Sequence, residues 1–191
     1  MIERVADTVT PQPLLSVVGM VDVALAEVVG LPLTLVLVDV RDPGNVGAIL
    51  RSADAAGVSA VIGAAGSGDC YNPKAVRASA GSIFHLPIVW GTPAGELLDA
   101  LQAAGVSCVA TAATGGTDYA AATLEGPLAL LLGNEANGLD PQLAARCDQA
   151  VTVPIAGGAE SLNVAMAATV LCFELARRRR GGDAPGFSMS P

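Results

Sequence analysis

Two short stretches of the chain place hydrogen-bonding side chains at the start of helices that are otherwise apolar. The first runs from Asp42 to Arg51, and the second runs from Glu160 to Ala165 and contains Ser161 and Asn163. Amide and hydroxyl groups can orient a polar ligand, and a guanidinium can bind a phosphate through two parallel hydrogen bonds. In so apolar a chain, these residue types indicate two halves of one site that meets something polar.

Each of these residues also has an ordinary structural explanation. Asn45 and Ser161 belong to the residue types that cap helix N-termini. Arg51 can lie on the protein surface with its aliphatic stem over apolar neighbours. Asn163 is harder to explain in this way, because it follows the predicted cap. Taken one at a time, the residues leave both interpretations open.

A third polar loop, Gly133 to Leu139, follows the run Leu128 to Leu132, which is the strongest predicted strand. Its Glu135 is a candidate to pair with Arg51 and fix the orientation of the guanidinium. A solvated turn is the simpler explanation of this loop by itself. The loop that begins at Asp42 also follows a buried strand, so both loops stand where α/β sheets bind ligands.

Strand-like and helix-like segments alternate along the chain. The run Leu33 to Val38 is continuously β-prone, as is typical of a strand buried on both faces. The alternation predicts an α/β fold, with a mainly parallel sheet and helices on both of its faces. Predicted strands are 33–38, 60–62, 86–90, 106–110, 128–132 and 150–153, and predicted helices are 45–56, 73–79, 94–104, 141–145 and 161–180.

The domain organisation follows from the same pattern. Residues 31–180 are expected to form one domain. Residues 1–30 are interpreted as an N-terminal segment or linker, in which 14–29 could form a helix. Residues 181–191 are rich in glycine, serine and proline, which predicts a disordered tail.

The composition limits the kinds of partner. Hydrophobic residues make up 52% of the chain and charged residues only 15%. A chain short of charge often covers apolar surface by association, so a homodimer is expected. The net charge of −8 argues against a broad nucleic-acid-binding face. A local basic site stays compatible with it, because the positive charge is nearly all arginine.

Several classes of protein are disfavoured. The cysteines lack metal-ligand spacing and His85 is the only histidine, so no metal site is expected. The most apolar stretch, 28–38, contains Pro32 and is too short to span a bilayer, which favours a soluble cytoplasmic protein. A nucleotide-dependent oxidoreductase is disfavoured because the chain lacks the G-x-G-x-x-G fingerprint and strand 60–62 leads into Gly63-Ala64-Ala65 instead of an acid.

Three motifs in order resemble the SpoU (TrmH-like) family of RNA ribose 2′-O-methyltransferases, within the SPOUT superfamily. They are N-V-G-A-I-L-R at 45–51, L-G-N-E-A-N-G-L at 132–139 and V-P-I…E-S-L-N-V-A-M-A at 153–167. The intermediate stretch 77–87 also looks like the family. The resemblance covers roughly residues 31–178. Three ordered motifs with matching separations are more specific than one glycine-rich loop.

The resemblance implies a fold, a cofactor and an assembly. The family fold is an α/β sheet whose C-terminal segment threads a loop to form a deep trefoil knot. S-adenosyl-L-methionine is expected to bind within the knot, held largely by backbone groups. Family members are homodimers whose active site is completed across the interface. By the same resemblance, the cofactor contacts are Thr111, Gly133, Val153, Ile155 and Leu162.

The resemblance also implies roles in methyl transfer from the sulfonium to a ribose 2′-hydroxyl. Arg51 takes the central role; because arginine is always protonated, we expect it to stabilise developing alkoxide charge and to bind the neighbouring phosphate. Asn45 and Asn163 would position the ribose and Arg51, and Glu135 would orient Arg51 or Asn45. Ser161 would hydrogen-bond the hydroxyl or the arginine.

The expected substrate is structured RNA, with large-subunit rRNA favoured over tRNA because residues 1–30 resemble the linker that follows an RNA-binding domain in many family members. The chain is then either a minimal member or a fragment of a longer protein. Arg41, Lys74 and Arg77 are the expected local RNA contacts. The alternatives are a tRNA 2′-O-methyltransferase and a catalytically weak module that binds RNA or cofactor.

Overall fold

The computed structural model of the protein describes residue 14 and residues 16–180, so the predicted disordered tail lies outside the described residues. Its centre is a sheet of seven strands in the order β3-β2-β1-β6-β4-β7-β5, with every neighbouring pair parallel. The predicted parallel α/β architecture is therefore confirmed. The strands are β1 (Leu33–Leu37), β2 (Ala60–Ala64), β3 (Ile88–Thr92), β4 (Ser107–Thr111), β5 (Thr117–Asp118), β6 (Leu128–Leu132) and β7 (Gln149–Thr152).

Helices cover both faces of this sheet, as predicted. Successive side chains of a strand point to opposite faces, and β1 shows this directly. Leu35 packs in a buried cluster with the helices at 43–56, 73–79 and 164–179, whereas Val36 packs in a second cluster with the helices at 25–28, 94–103 and 141–145. The helices are α1 (Leu25–Val28), α2 (Pro43–Ala56), α3 (Pro73–Ser79), α4 (Ala94–Ala103), α5 (Pro141–Ala145) and α6 (Val164–Arg179).

The register of the central strands brings the polar loops together. Leu37 at the end of β1 lies beside Leu132 at the end of β6. Thr111 at the end of β4 lies beside Val151 of β7. The loops that leave these four strands therefore emerge next to one another at the carboxyl edge of the sheet, where ligands bind in α/β proteins.

Both predicted helix caps are corrected by the structure. The N-cap of α2 is Asp42, whose carboxylate accepts a hydrogen bond from the backbone N–H of Gly44, so Asn45 lies inside the helix. The N-cap of α6 is Asn163 and not Ser161. Its Oδ1 accepts the N–H groups of Ala165 at 2.9 Å and Met166 at 3.3 Å. Helix α6 consequently begins at Val164, later than predicted.

Other differences concern the edges of the fold. Among the described residues of the segment 14–29, only Leu25–Val28 is helical, and Asp22 forms a parallel bridge with Ile88 at the edge of β3. Strand β5 is not in the predicted set, because two exposed residues carry no apolar pattern. None of the described helices is long and apolar enough to cross a membrane.

The arginines at the end of α6 bind backbone carbonyls. Arg178 donates to the carbonyl oxygens of Tyr119 and Ala122 at 2.6 Å each. Arg179 donates to the carbonyl oxygen of Gly126 at 3.1 Å. These bonds hold the C-terminal helix against the segment between β4 and β6.

Glu174 makes this end of α6 sensitive to pH. Its carboxylate accepts Nε of Arg177 at 2.8 Å and Nε of Arg178 at 2.7 Å. These hydrogen bonds lower its pKa to about 2, although burial opposes the shift. A carboxyl whose pKa is lower in the folded chain adds stability above its unfolded pKa and loses it as the pH falls through the folded value.

We expect Glu174→Gln to lower the free energy of unfolding at pH 7, and the difference from wild type to shrink as the pH falls from about 4.5 to about 2. Urea denaturation followed by circular dichroism at several pH values measures this difference. The control is Glu96→Gln, which removes a carboxylate from an exposed position of α4. A Glu174→Gln deficit that is independent of pH would contradict the ion-pair explanation.

Candidate active site

Glu135 joins the loops that follow β1 and β6. Its carboxylate accepts the backbone N–H of Arg41 at 3.2 Å and of Asp42 at 3.1 Å, and it accepts Nδ2 of Asn45 at 3.0 Å. The predicted partner Arg51 does not contact it. Of the two sequence-based alternatives, the structure shows the contact with Asn45, because α2 turns Asn45 and not Arg51 towards the loop after β6.

The ionised form of Glu135 is favoured at this position. Burial raises its pKa, but the hydrogen bonds from Asn45 and from the backbone of Asp42 and Arg41 together outweigh burial. The net pKa of Glu135 is therefore lowered from its ordinary value. A carboxylate, which only accepts hydrogen bonds, holds the amide of Asn45 in one orientation.

Asn45 connects Glu135 to the start of α6. Its Oδ1 accepts Nδ2 of Asn163 at 3.0 Å, while Oδ1 of Asn163 caps α6. The neighbouring donors and acceptors fix the orientation of both amide groups, because each amide oxygen faces a donor and the Asn45 nitrogen faces a carboxylate. The result is one hydrogen-bonded chain from Glu135 through Asn45 and Asn163 to the N-terminus of α6.

Arg51 lies on the exposed surface of α2, six residues after Asn45. Six residues correspond to roughly 9 Å along a helix axis. Within the described residues 16–180, no hydrogen bond or ion pair holds its guanidinium. The arginine therefore projects a full positive charge into solvent.

A cleft of about 410 Å³ opens at the carboxyl ends of β4, β6 and β7. Its wall is largely small and apolar, which suits a flat aromatic ring. Arg51, Asn45 and Asn163 lie outside its lining. The sequence-predicted residues that line it are Thr111, Gly133, Glu135, Val153, Ile155, Ser161 and Leu162.

The loop from Gly133 to Gly138 shapes one wall of this cleft. Asn134 closes it, because its Oδ1 accepts the backbone N–H groups of Ala136 at 3.0 Å and Asn137 at 3.1 Å. Gly133 allows the closure, since a Cβ there would lie 2.3 Å from the backbone of Gly138. Thr111 at the end of β4 also lines the cleft, and its hydroxyl donates to the carbonyl oxygen of Leu131 at 2.9 Å.

Two of the three predicted RNA contacts lie beside the Glu135 loop. Arg41 pairs with Asp39 at 2.7 Å, and Lys74 on α3 pairs with Asp42 at 2.8 Å. Arg77 is exposed on the same helix as Lys74. The acids Asp39 and Asp42 partly neutralise Arg41 and Lys74 and hold them in place.

Within the described residues, no cluster of three or more His, Cys, Asp or Glu could hold a metal ion.

Known proteins resemble this chain over most of its length. RlmP of Bacillus subtilis strain 168, a 23S rRNA (guanosine(2553)-2′-O)-methyltransferase, is 40% identical over 172 residues, which cover 90% of this chain and 67% of RlmP. A 23S rRNA (uridine(2479)-2′-O)-methyltransferase of Streptomyces viridochromogenes is 43% identical over 145 residues, covering 73% of this chain and 50% of the relative.

A solved structure shares the fold. The SpoU methyltransferase AviRb from Streptomyces viridochromogenes, in complex with AdoMet, matches with a TM-score of 0.72 and 41% identity over 78% of this chain and 58% of AviRb. The chain thus spans 50% to 67% of the length of these three proteins. Since the SpoU rRNA Methylase family matches residues 32–173, well over half of the sequence, the protein belongs to that family.

Proposed function

We propose that the protein is an S-adenosyl-L-methionine-dependent methyltransferase that acts on a ribose 2′-hydroxyl of large-subunit rRNA. The observation that carries the proposal is the joining of the family's three motifs at one edge of the sheet by the Glu135–Asn45–Asn163 chain. The names of the relatives support rRNA as the substrate class and AdoMet as the cofactor.

The cleft fits the cofactor in size and lining. Binding pockets for such ligands have volumes of roughly 300–1,000 Å³, and this one has about 410 Å³. The residues proposed to hold the cofactor are those predicted from the motifs, which offer backbone groups and short apolar side chains. When bound, the cofactor supplies the electrophilic methyl group. The proposed contacts are Thr111, Gly133, Val153, Ile155 and Leu162.

Polar residues of the chain would bind and orient the ribose 2′-hydroxyl. Arg51 would bind the adjoining phosphate and stabilise the negative charge that develops on the 2′-oxygen as its proton leaves. Asn45 and Asn163 keep free N–H groups with which to position the ribose, and Glu135 holds Asn45 in place. Ser161, whose exposed hydroxyl lines the cleft, would donate to the ribose or the phosphate.

A homodimer would bring Arg51 to a cleft. Arg51 lies outside the lining of the cleft in its own chain, so we infer that it serves the partner's cleft. Exposed apolar side chains on and before α6, Leu162, Met166 and Phe173, support an interface on this side. Burying such side chains against a second copy would stabilise the pair.

We also infer that the C-terminal segment forms a trefoil knot. Support comes from the bonds of Arg178 to the carbonyls of Tyr119 and Ala122, which fasten α6 to the segment between β4 and β6. A second support is the pairing of β5, within that segment, with β7. A helix that passes through this segment would close the cleft with its own N-terminal loop.

RNA capture is assigned to Arg41, Lys74 and Arg77, which place positive charge beside the Glu135 loop. A chain with a net charge of −8 offers little further attraction to a polyanion. We therefore propose weak intrinsic RNA affinity, with residues 1–30 acting as the linker to an RNA-binding domain.

Methyl transfer from radiolabelled S-adenosyl-L-methionine to purified RNA tests the function. The RNA arms are unmodified 23S rRNA, 16S rRNA and bulk tRNA. We expect label in 23S rRNA, in a nuclease-resistant dinucleotide that reports 2′-O-methylation. Label in tRNA alone would establish the alternative substrate. Cofactor binding without transfer to any RNA would favour the weak-module alternative and contradict the proposal.

A further inference from the structure

Asp39, between β1 and α2, has a left-handed backbone conformation, which is uncommon for residues other than glycine. Its φ is +56°, and Ala80 is the only other non-glycine residue within the described part of the chain with a positive φ. Side chains other than glycine are disfavoured there, and such positions often serve a function. Because glycine would be unstrained at this position, the presence of aspartate indicates that its carboxylate makes contacts that matter for function.

The two oxygens of this carboxylate contact different parts of the site. Oδ1 accepts Nε of Arg41 at 2.7 Å. Oδ2 accepts Nδ2 of Asn134 at 3.2 Å, and the same nitrogen also donates to the carbonyl oxygen of Asp39 at 2.9 Å. Asp39 therefore stands between an arginine on the outer surface and an asparagine inside the loop after β6.

These two partners face the two proposed ligands. Asn134 lines the cleft and closes the loop around it through the N–H groups of Ala136 and Asn137. The side chain of Arg41 is 72% exposed, beside the proposed RNA-binding residues. A displacement of the loop on ligand binding would move Asn134, hence the carboxylate, hence the guanidinium.

We propose that Asp39 is a positioning residue that links the cofactor cleft to Arg41, so that filling the cleft orients the arginine for the phosphate backbone of the RNA. This inference rests on the proposed function and deepens it. Coupling between two ligands is reciprocal, so bound RNA must also tighten the cofactor site.

Asp39→Gly tests the link without adding strain, because glycine adopts a positive φ freely. The probe is S-adenosylhomocysteine, the unreactive product, titrated by calorimetry with and without saturating substrate RNA. In wild type we expect RNA to tighten binding at least roughly fivefold. In Asp39→Gly we expect S-adenosylhomocysteine to bind roughly threefold to tenfold more weakly without RNA. The RNA effect, meaning the ratio of its affinities with and without RNA, should fall towards one.

Two further variants test the contact of Asp39 with Arg41 separately from its contact with Asn134. Arg41→Gln leaves the carboxylate and the loop in place, so binding of S-adenosylhomocysteine without RNA should stay within about twofold while the RNA effect falls. Asp39→Asn tolerates the same φ and keeps an oxygen for Asn134, but it loses the charge that holds Arg41. It should therefore behave like Arg41→Gln and rescue the binding lost in Asp39→Gly.

Steady-state kinetics add a readout that a merely structural role would not change. In Asp39→Gly, KM for RNA should rise several-fold while kcat at saturation stays near wild type, and the melting temperature should stay within about 4 °C. A preserved RNA effect in Asp39→Gly, or none in wild type, would overturn the role of Asp39. A wild-type chain that binds no S-adenosylhomocysteine would overturn the proposed function as well.

Discussion

Arg51→Ala is expected to lower kcat roughly 10²- to 10³-fold while S-adenosyl-L-methionine binds as in wild type. The reason is that the guanidinium would act on the 2′-oxygen and its neighbouring phosphate, whereas it lies outside the lining of the cleft that is proposed to hold the cofactor. Arg51 is exposed, and its side chain makes no hydrogen bond or ion pair within residues 16–180, so its removal should leave the melting temperature nearly unchanged. Single-turnover methylation and calorimetry of cofactor binding measure the two effects separately.

Two variants control this result. Arg146→Ala removes the same charge from another exposed site, where the arginine pairs with Asp99, and should keep full activity. Arg51→Lys keeps the charge but loses the planar pair of donors, so we expect intermediate activity. An Arg51→Ala protein with near-wild-type kcat would remove Arg51 from the mechanism. Equal losses in cofactor binding and in kcat would mean that it shapes the cleft instead.

The architecture could be predicted because the buried strands carry a strong local signal. A run such as Leu128 to Leu132, apolar at every position, is explained only by burial on both faces, and the structure buries all of it. The order of the strands carries no such signal. Nothing in β1 by itself indicates that β6, almost a hundred residues later, lies beside it while β4 lies one strand further out.

The helix caps show where residue type alone is insufficient. Asp42 and Asn45 are both good capping residues, and the choice between them depends on the backbone. Pro43 favours the first helical position, which makes Asp42 the cap and releases Asn45 for Glu135. The same holds for Asn163, which caps α6 through one amide atom and reaches Asn45 through the other.

Asp39 and Asn134 are the site residues that sequence reasoning missed. Asn134 lies in a recognised motif, but only the folded loop brings its amide to Asp39. The sequence offered one unused signal, an aspartate directly after a buried strand, since aspartate tolerates a left-handed backbone better than most residues. A positive φ itself cannot be read from the sequence at a residue other than glycine.

Gly133→Ala is expected to weaken binding of S-adenosyl-L-methionine roughly tenfold to hundredfold. The new Cβ would lie 2.3 Å from backbone atoms of Gly138 and Leu139, so the loop must open. That loop forms one wall of the cleft. The matched control is Gly158→Ala, in the glycine-rich loop before α6, where a Cβ meets nothing within 4 Å. Calorimetry measures both, and equal affinities in the two variants would contradict a cofactor site at Gly133.

Mixing Gly133→Ala with Arg51→Ala then tests where the arginine acts. At a limiting concentration of S-adenosyl-L-methionine, each variant alone should have little activity, the first because its cleft binds the cofactor weakly and the second for lack of charge stabilisation. In a mixed pair of the proposed homodimer, the Arg51→Ala subunit contributes an intact cleft and its partner contributes an intact Arg51. If Arg51 serves the neighbouring cleft, co-refolded mixtures should recover part of the wild-type activity. If it serves its own cleft, every site in the mixture lacks one component and no activity returns.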